Sequence, residues 1–530
     1  MIRNIVLCSD GTGSKGFQKR GTNVYKLFEA VDLHGHGVGP NSPKQITFYD
    51  DGVGTETAKW RKILGSAFGL GLSKNVKQLY ANLVRTYKEG DRIYLFGFSR
   101  GAFTVRTLAG LINTYGIIDR RHLENDTELS RKVDKLYEQY RRKYKASISP
   151  LVHRLRDKYC ANDKKIRTIE VTPIEFIGVW DTVDAVGAPI PWLADKMNKY
   201  IYCFKFKDFE LSSEEKVKKA CHALSIDDER LTFHPVLWDE KPKVDKEDKK
   251  GEENKEEKKD NRIEQVWFAG VHANVGGGYP KHGMSLVSLY WMMSKAEQSG
   301  LRFIKQDREL FRHRRNVTDK LYDSRSGIGV YYRYKPRDIG GEFCKKYHII
   351  TPKIHNSVIE RIKQRTEGYA PGNIPFKCKF VPTDWNYENY DQFIQEFSKN
   401  LNGEKSLLDR DNVKRLVSKR CKSHRYFLIT SIITILSIVS IILVANIPHF
   451  SFTGIVGTFF KLFSIKGLIE LFKGLLAKQL FLIITVIAPV IVPFVFYLII
   501  RRLKKAMNGR FSEFWYAILK EVDKIKKDSG

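Results

Sequence analysis

The sequence predicts an α/β fold with a mostly parallel sheet, α/β-hydrolase-like, followed by a C-terminal two-helix transmembrane hairpin. Three observations predict it. Short apolar runs alternate with helix-period patterns over residues 1–400. One of these runs leads into G-x-S-x-G and then a helix-compatible stretch, Arg92 to Phe103. Near the end lie two uncharged apolar stretches of 22 and 21 residues, Tyr426 to Ile447 and Leu480 to Ile500.

The strands are expected at Ile2–Cys8, Ile46–Tyr49, Arg92–Phe98, Ile174–Trp180 and Gln265–Val271, with helical patterns between them such as Ser73–Tyr87. Strands that read as nearly unbroken apolar runs are buried on both faces, as in a parallel sheet covered by helices. Two insertions interrupt the alternation. Residues 129–167 are basic, helical in pattern and rich in tyrosine. Residues 239–262 hold 9 basic and 10 acidic side chains with almost nothing apolar, which predicts a solvated, disordered loop. There are no internal repeats. The glycines of Gly52-Val53-Gly54 and of Gly65 to Gly71 lack the G-K-[S/T] ending of a phosphate-cradling loop and are read as tight turns near the sheet edge.

Composition narrows the class. At 530 residues and 42% hydrophobic content the chain can bury a large core, which excludes wholesale disorder. The 91 Lys and Arg against 60 Asp and Glu leave a formal net charge of +31, which calls for nucleic acid or an anionic membrane face as partner. Its placement favours the membrane. Residues 401–425 and 501–530 each carry a net +5 and border the apolar stretches; residues 131–167 and 301–350 carry +9 and +7. The seven cysteines are scattered, odd in number and form no C-x-x-C pair, which fits a reducing compartment without a structural metal.

A bilayer core needs about 20 apolar helical residues, so both apolar stretches qualify as transmembrane helices. The alternative is a pair of buried core helices, but core helices seldom run so long without a polar face. Pro489 and Pro493 are tolerable in a membrane helix. The basic flanks, Lys419 to Arg425 and Arg501 to Lys505, place both outer ends on the cytoplasmic side. The connecting segment 448–479 would lie in the far interface. The domains expected are thus a catalytic domain over 1–400, a basic juxtamembrane linker over 401–425, the hairpin over 426–500 and a basic tail helix over 501–530, in a multi-pass inner-membrane protein. The opening residues Met1-Ile2-Arg3-Asn4 run into an apolar stretch too short for a signal peptide.

The chemistry is carried by Gly97-Phe98-Ser99-Arg100-Gly101. A serine on a sharp strand-to-helix turn needs small neighbours two positions away on either side, because strand and helix approach closely; Gly97 and Gly101 satisfy this. The helix N-terminus beyond it favours developing negative charge. A serine nucleophile needs a base, and the base an orienting carboxylate, in the chain order serine, acid, histidine. Asp181 follows the strand ending at Trp180, with Asp184 as competitor. His272 follows the strand ending at Val271; His222, His234 and His355 follow no comparable strand and are read as structural. The oxyanion donors are expected at the Arg100 N–H and at the Gly11 or Thr12 N–H, in the loop Ser9-Asp10-Gly11-Thr12-Gly13. No Cys/His spacing suggests a metal, and no cofactor is expected.

These strings resemble the catalytic-domain family of type VI secretion phospholipase effectors. The matching stretches are Cys8-Ser9-Asp10-Gly11-Thr12, Thr22-Asn23-Val24, Tyr49 to Thr55, Gly90 to Phe103, Arg106 to Gly110, Gly178 to Val183, His222-Ala223-Leu224 with Asp227 to Arg230, and Val271-His272 with Val275 to Tyr279. They cover roughly residues 1–380. The resemblance implies an α/β-hydrolase fold, lipase or phospholipase activity, and Ser99, Asp181 and His272 as the triad. The family commonly has aspartate two positions after the histidine; here it is Asn274, which keeps hydrogen bonding and loses charge.

The expected function is a membrane-anchored serine hydrolase that cleaves acyl esters of lipids, with membrane phospholipid as substrate and an anionic membrane surface as partner. A lipase facing its own cytoplasm needs restraint by a regulatory protein or an oligomeric state, which suggests a regulated toxin or anti-phage defence effector; a secreted toxin is the rival. Two other classes compete: a catalytically silent membrane-interaction module on a hydrolase fold, and nucleic-acid binding through the basic, tyrosine-rich stretches. The second lacks any recognised nucleic-acid fold, and no nucleic-acid partner is expected.

Overall fold

The computed structural model describes residues 2–11, 21–35, 39, 42–51, 66–144, 166–171, 173–183, 216–240, 262–382, 406–445 and 479–528. The chain divides into two compact units. One comprises Met1–Tyr332, Pro336–Leu407 and Trp515–Gly530; the other comprises Arg333–Lys335 and Leu408–Phe514.

The first unit is built on an eight-stranded sheet whose described ladders are all parallel. Its strands are β1 (Arg3–Ser9), β2 (Lys44–Asp50), β3 (Arg92–Phe98), β6 (Ile174–Trp180), β7 (Val217–Ser225), β8 (Ile263–Phe268), β9 (Lys353–His355) and β10 (Lys379–Val381). The short strands β4 (Ile117–Ile118) and β5 (Thr168–Ile169) form a separate antiparallel pair. Across the large sheet the order is β2-β1-β3-β6-β7-β8-β9-β10. Chain order therefore reverses direction between β1 and β3, and the crevice beyond the carboxyl ends of two such strands is where open α/β sheets bind ligands.

Side chains alternate across the strands and feed two cores. On one face Ile5, Leu7, Ile93, Leu95, Ile177 and Val179 pack with α2 (Ser66–Thr86), α3 (Arg100–Tyr115) and α4 (Asp126–Tyr144). On the other, Val6, Cys8, Tyr94, Phe96, Phe176 and Trp180 pack with α1 (Asn23–Ala30) and a later helix, Gly283–Gln298. Truncating one of these large buried side chains to alanine typically costs about 2–5 kcal/mol.

Three expectations differ from the structure. The strand placed at Gln265–Val271 runs over Ile263–Phe268 and stops before the histidine loop. Strand β7 was not expected at all. Of the glycines read as tight turns, Gly52, Gly54 and Gly65 lie outside the described residues, whereas Gly69 and Gly71 lie within α2. That helix is held by Leu72, Val76, Leu79, Tyr80 and Leu83, which recur at helical spacing and are all buried, so tertiary packing outweighs the low helix propensity of glycine. Residues from Trp515 onward belong to the first unit, where Trp515 Nε1 donates to the Pro371 carbonyl at 2.8 Å. Most of both insertions, over 145–165 and 241–261, and the connecting segment 448–478 lie outside the described residues.

The helices that follow are α5 (His272–Gly276), α6 (Gly283–Gln298), α7 (Lys305–Arg314), α8 (Glu342–Lys345), α9 (Ser357–Lys363), α10 (Asp411–Ala445) and α11 (Gln479–Asp528). The second unit is made mainly of α10 and the first part of α11. Helix α10 runs unbroken from the basic segment into the first apolar stretch, and α11 from the second apolar stretch into the basic tail. Within this unit Arg420 lies 3.8 Å over the Tyr334 ring, and Tyr426 stacks on Phe496 at 5.4 Å. The hydroxyls of Thr430 and Thr434 donate back to the Tyr426 and Thr430 carbonyls at 2.7 and 2.9 Å, which satisfies them inside the helix. Among the described residues no helix is long and apolar enough to cross a membrane. The side chains of 438–445 and 480–489, which belong to the two expected spans, are not among those described.

Candidate active site

The site assembles at the carboxyl edge of β1, β3, β6, β7 and β8. Strand β3 ends at Phe98, α3 begins at Arg100, and Ser99 between them takes φ 58°, ψ −119°. Such a backbone conformation costs a non-glycine residue about 1–3 kcal/mol and persists only where its surroundings impose it. The Ser99 N–H donates to the Trp180 carbonyl at 3.0 Å, while its carbonyl accepts from Phe103 and Val183 at 3.3 and 3.4 Å. The two flanking glycines are required sterically. A Cβ on Gly97 would stand 2.6 Å from the Gly101 carbonyl oxygen, and one on Gly101 would collide with the Ser9 carbonyl.

His272 is the first residue of α5. Its Nε2 lies 2.8 Å from Ser99 Oγ, and its Nδ1 lies 2.6 Å from Asp181 Oδ2. The ring is held between Phe98, at 4.7 Å, and the edge of Phe233, at 5.2 Å. Its backbone N–H donates to Asp228 Oδ2 at 3.2 Å, and Arg230 in turn grips Asp228 with two hydrogen bonds. Asp181 follows β6, takes φ 39°, and donates its N–H to the Ala223 carbonyl at 2.8 Å. The three residues singled out in the sequence are thus joined by one chain of hydrogen bonds. Asp184, the competitor of Asp181, lies outside the described residues.

Asp181 has partners that sequence reasoning missed. Arg337 Nη1 and Nη2 donate to Oδ1 and Oδ2 at 2.6 and 2.9 Å, and the Ser225 N–H and hydroxyl donate at 3.0 and 3.2 Å. Burial alone would raise the Asp181 carboxyl. The Arg337 guanidinium and the His272 hydrogen bond outweigh it and hold the group well below the usual carboxylate range. No motif surrounds Arg337; the only available signal was a basic residue in a stretch already rich in them.

The other histidines do different work. His222 is fully buried; its Nε2 accepts the Thr182 N–H at 3.1 Å and its Nδ1 faces Gln265 Oε1 at 3.3 Å. Burial pushes it down to about 3, so it stays neutral and fixes the backbone beside Asp181. His355 is also pushed down to about 3 by burial and pairs with the Ser357 hydroxyl. His234 caps a short turn over Leu231–Phe233.

On the other side of Ser99, Gly11 lies close by: a Cβ there would come 3.3 Å from Ser99 Cβ. Its N–H, one of the expected oxyanion donors, donates to Asp10 Oδ1 at 2.6 Å. Asp10 Oδ2 accepts from the Thr22 and Tyr49 hydroxyls at 2.5 and 2.7 Å. Burial raises the Asp10 carboxyl to about 6 against these hydrogen bonds. Thr12, the alternative donor, lies outside the described residues. Arg100 stands at the first position of α3, where backbone N–H groups lack partners within the helix, and burial lowers its guanidinium to about 10.

Asn274 is buried, and its side-chain partners lie outside the triad. Its Nδ2 donates to the Lys320 carbonyl at 3.0 Å and its Oδ1 accepts the Tyr322 N–H at 3.2 Å. It therefore ties α5 to the 320–322 segment. Among the described residues no group of three or more His, Cys, Asp or Glu side chains is placed to hold a metal ion.

Set beside known proteins, residues 3–295 match the model of a family described as the catalytic domain of type VI secretion Tle1-like phospholipase effectors. The uncharacterized protein YEL023C of Saccharomyces cerevisiae is 25% identical over 257 residues, which are 46% of this chain and only 34% of that protein. The match thus spans about a third of that relative's length. Two solved structures are also similar. One is an uncharacterized protein from Pseudomonas aeruginosa, at TM-score 0.31 and 19% identity over 58% of this chain and 47% of the other. The second is the Tle1 effector bound to the VgrG spike of the type VI secretion system, at TM-score 0.29 and 15% identity over 53% and 52%.

Proposed function

The chain belongs to the family of type VI secretion Tle1-like phospholipase effectors through its catalytic domain, and from that premise we propose that it is a serine hydrolase cleaving acyl esters of membrane phospholipids. One observation carries the reading: the unbroken chain from Ser99 Oγ through His272 to Asp181. In the reaction His272 Nε2 takes the Ser99 proton as Oγ bonds to the ester carbonyl carbon. The same nitrogen then returns the proton to the departing alcohol oxygen, which leaves an acyl-serine. Water repeats the sequence, giving its proton to Nε2 and releasing the fatty acid. We assign the first oxyanion donor to the Arg100 N–H. The Gly11 N–H can join it only by leaving Asp10, so the second donor falls to Gly11 or Thr12.

The membrane anchor is part of the proposal. Each apolar stretch is bordered by basic residues that would face anionic headgroups. Ile429, Ile432, Ile433, Ile435 and Leu436 on α10, and Val490, Ile491, Phe494 and Val495 on α11, are exposed, a cost in water that a bilayer would remove. With the catalytic domain on the cytoplasmic side of the inner membrane, such an enzyme acts as a regulated effector, restrained by a regulatory protein or its oligomeric state until needed.

The test is fatty-acid release from vesicles of phosphatidylethanolamine and phosphatidylglycerol by the full chain, together with fluorophosphonate labelling. Wild type should release fatty acid and take the label, and Ser99→Ala should do neither. Undiminished release by Ser99→Ala would defeat the assignment.

A further inference from the structure

Arg337 lies beyond the residues that match the family model, is 2% exposed, and reaches the site from a segment without regular structure. Its guanidinium makes four hydrogen bonds. Two form a fork on the Asp181 carboxylate; the others go from Nη1 to the Ser225 carbonyl and from Nη2 to the Phe233 carbonyl, both at 2.6 Å. Its own carbonyl accepts from Asn373 Nδ2, which also binds the Ile226 carbonyl, so the backbone of 337 is fastened to the end of β7.

We infer that Arg337 is a positioning residue of the catalytic centre, which fixes the Asp181 carboxylate from behind and partly neutralises it toward His272. The inference rests on the triad reading above. A planar fork matched to a carboxylate leaves it one orientation, and that orientation keeps Oδ2 on His272 Nδ1 at 2.6 Å. Through the Phe233 carbonyl the same guanidinium also holds the ring that packs edge-on against His272.

The remaining charges around the pair do not duplicate this. Asp228, which accepts the His272 N–H, is itself paired with Arg230. His222 is neutral, and Arg106 is spent on the Val236 and Leu237 carbonyls and stacked on Trp238. Among the described residues the cation in ion-pair contact with Asp181, apart from a protonated His272, is Arg337.

The experiment measures kcat and KM for p-nitrophenyl butyrate hydrolysis by the full chain carrying Arg337→Met or Arg337→Lys. Arg337→Met should lose activity on the order of 10²-fold, chiefly in kcat, with KM changed by less than about threefold. Added methylguanidine should restore part of kcat. Arg337→Lys, which keeps charge but not the fork, should fall between, and it decides the matter where Arg337→Met does not fold. A folded variant whose kcat stays within about threefold of wild type, or whose lost rate methylguanidine leaves unchanged, overturns the inference. If wild type and Ser99→Ala take up fluorophosphonate equally, it is the triad reading that has failed instead.

Discussion

Two aspartates flank Ser99, one across each neighbouring strand: Asp10 after β1 and Asp181 after β6, with β3 between. They are buried alike, at 1% and 0% exposure, yet they carry opposite electrostatics. Asp181 meets a guanidinium and an imidazole and is held well below its usual range. Among the described residues the hydrogen-bond donors to Asp10 are neutral, the Gly11 N–H and the Thr22 and Tyr49 hydroxyls, and burial raises it to about 6. Partner chemistry, not depth, decides which carboxylate is ionised. The arrangement suits acyl transfer. In the acyl transfer proposed above, negative charge would stand on the side of the imidazolium and could be discharged near neutrality on the side of the oxyanion.

The comparison breaks most severely at Asp181. Asp181→Asn should lower kcat by about 10⁴-fold, because an amide cannot hold the neutral imidazole in the tautomer that presents a bare Nε2 to Ser99. It should also cost about 3–5 kcal/mol of stability, since Arg337, with a side chain 1% exposed, is left with an uncompensated buried charge. Pairing it with Arg337→Met should return most of that stability, read by thermal melting, and none of the activity. If the double variant melts no higher than Asp181→Asn alone, the buried charge is not what costs the stability.

Asp10 should respond with the opposite sign. Its folded-state value of about 6 stands above the ordinary 3.8 of an aspartate, so the folded state holds this proton more tightly than the unfolded chain does. Stability is then fully present below about pH 4 and is lost as pH rises through 6, a cost of about 3 kcal/mol above that. Asp10→Asn removes the titration. Its melting temperature relative to wild type should therefore climb between pH 4 and pH 7 and level off beyond. For Asp181→Asn the difference narrows only as pH falls below about 4, where the unfolded chain begins to bind the proton first. A flat difference for Asp10→Asn over that window would mean that Asp10 is ionised throughout, and the contrast between the two sides would go.

What the sequence made legible follows the same division. Ser99, Asp181 and His272 could be read because each stands just beyond an apolar run, and a parallel sheet brings the ends of its strands to one edge. Asp10 and Gly11 follow β1 by the same rule, but the fate of the Gly11 N–H depends on a side chain one residue away and could not be read. Strand β7 was hidden because Val217-Lys218-Lys219-Ala220 lacks an apolar run; its lysines sit toward the exposed end, where Lys218 and Lys219 pair with Glu175 and Glu264 on the neighbouring strands. Arg337 was illegible for a different reason. It lies 156 positions from Asp181 along the chain, follows no strand and belongs to no motif, so only the tertiary fold makes it part of the site.

Asn274 offers the finest test, because it stands two positions after His272 and is uncharged. If a charge there assisted catalysis, Asn274→Asp should raise activity. The geometry argues otherwise. Nδ2 donates to the Lys320 carbonyl while Oδ1 accepts from the Tyr322 N–H, and a carboxylate would replace the donor with a second acceptor facing a carbonyl oxygen. Leaving that carbonyl without its donor, opposite a side chain that is 2% exposed, should cost about 1–2 kcal/mol. The variant should therefore melt lower than wild type at pH 7, with kcat for p-nitrophenyl butyrate changed by less than about threefold, since no atom of Asn274 is hydrogen-bonded to the triad. A clear gain in kcat would show instead that the 320–322 segment yields readily, and that the histidine side of the site accepts a second negative charge beside Asp181.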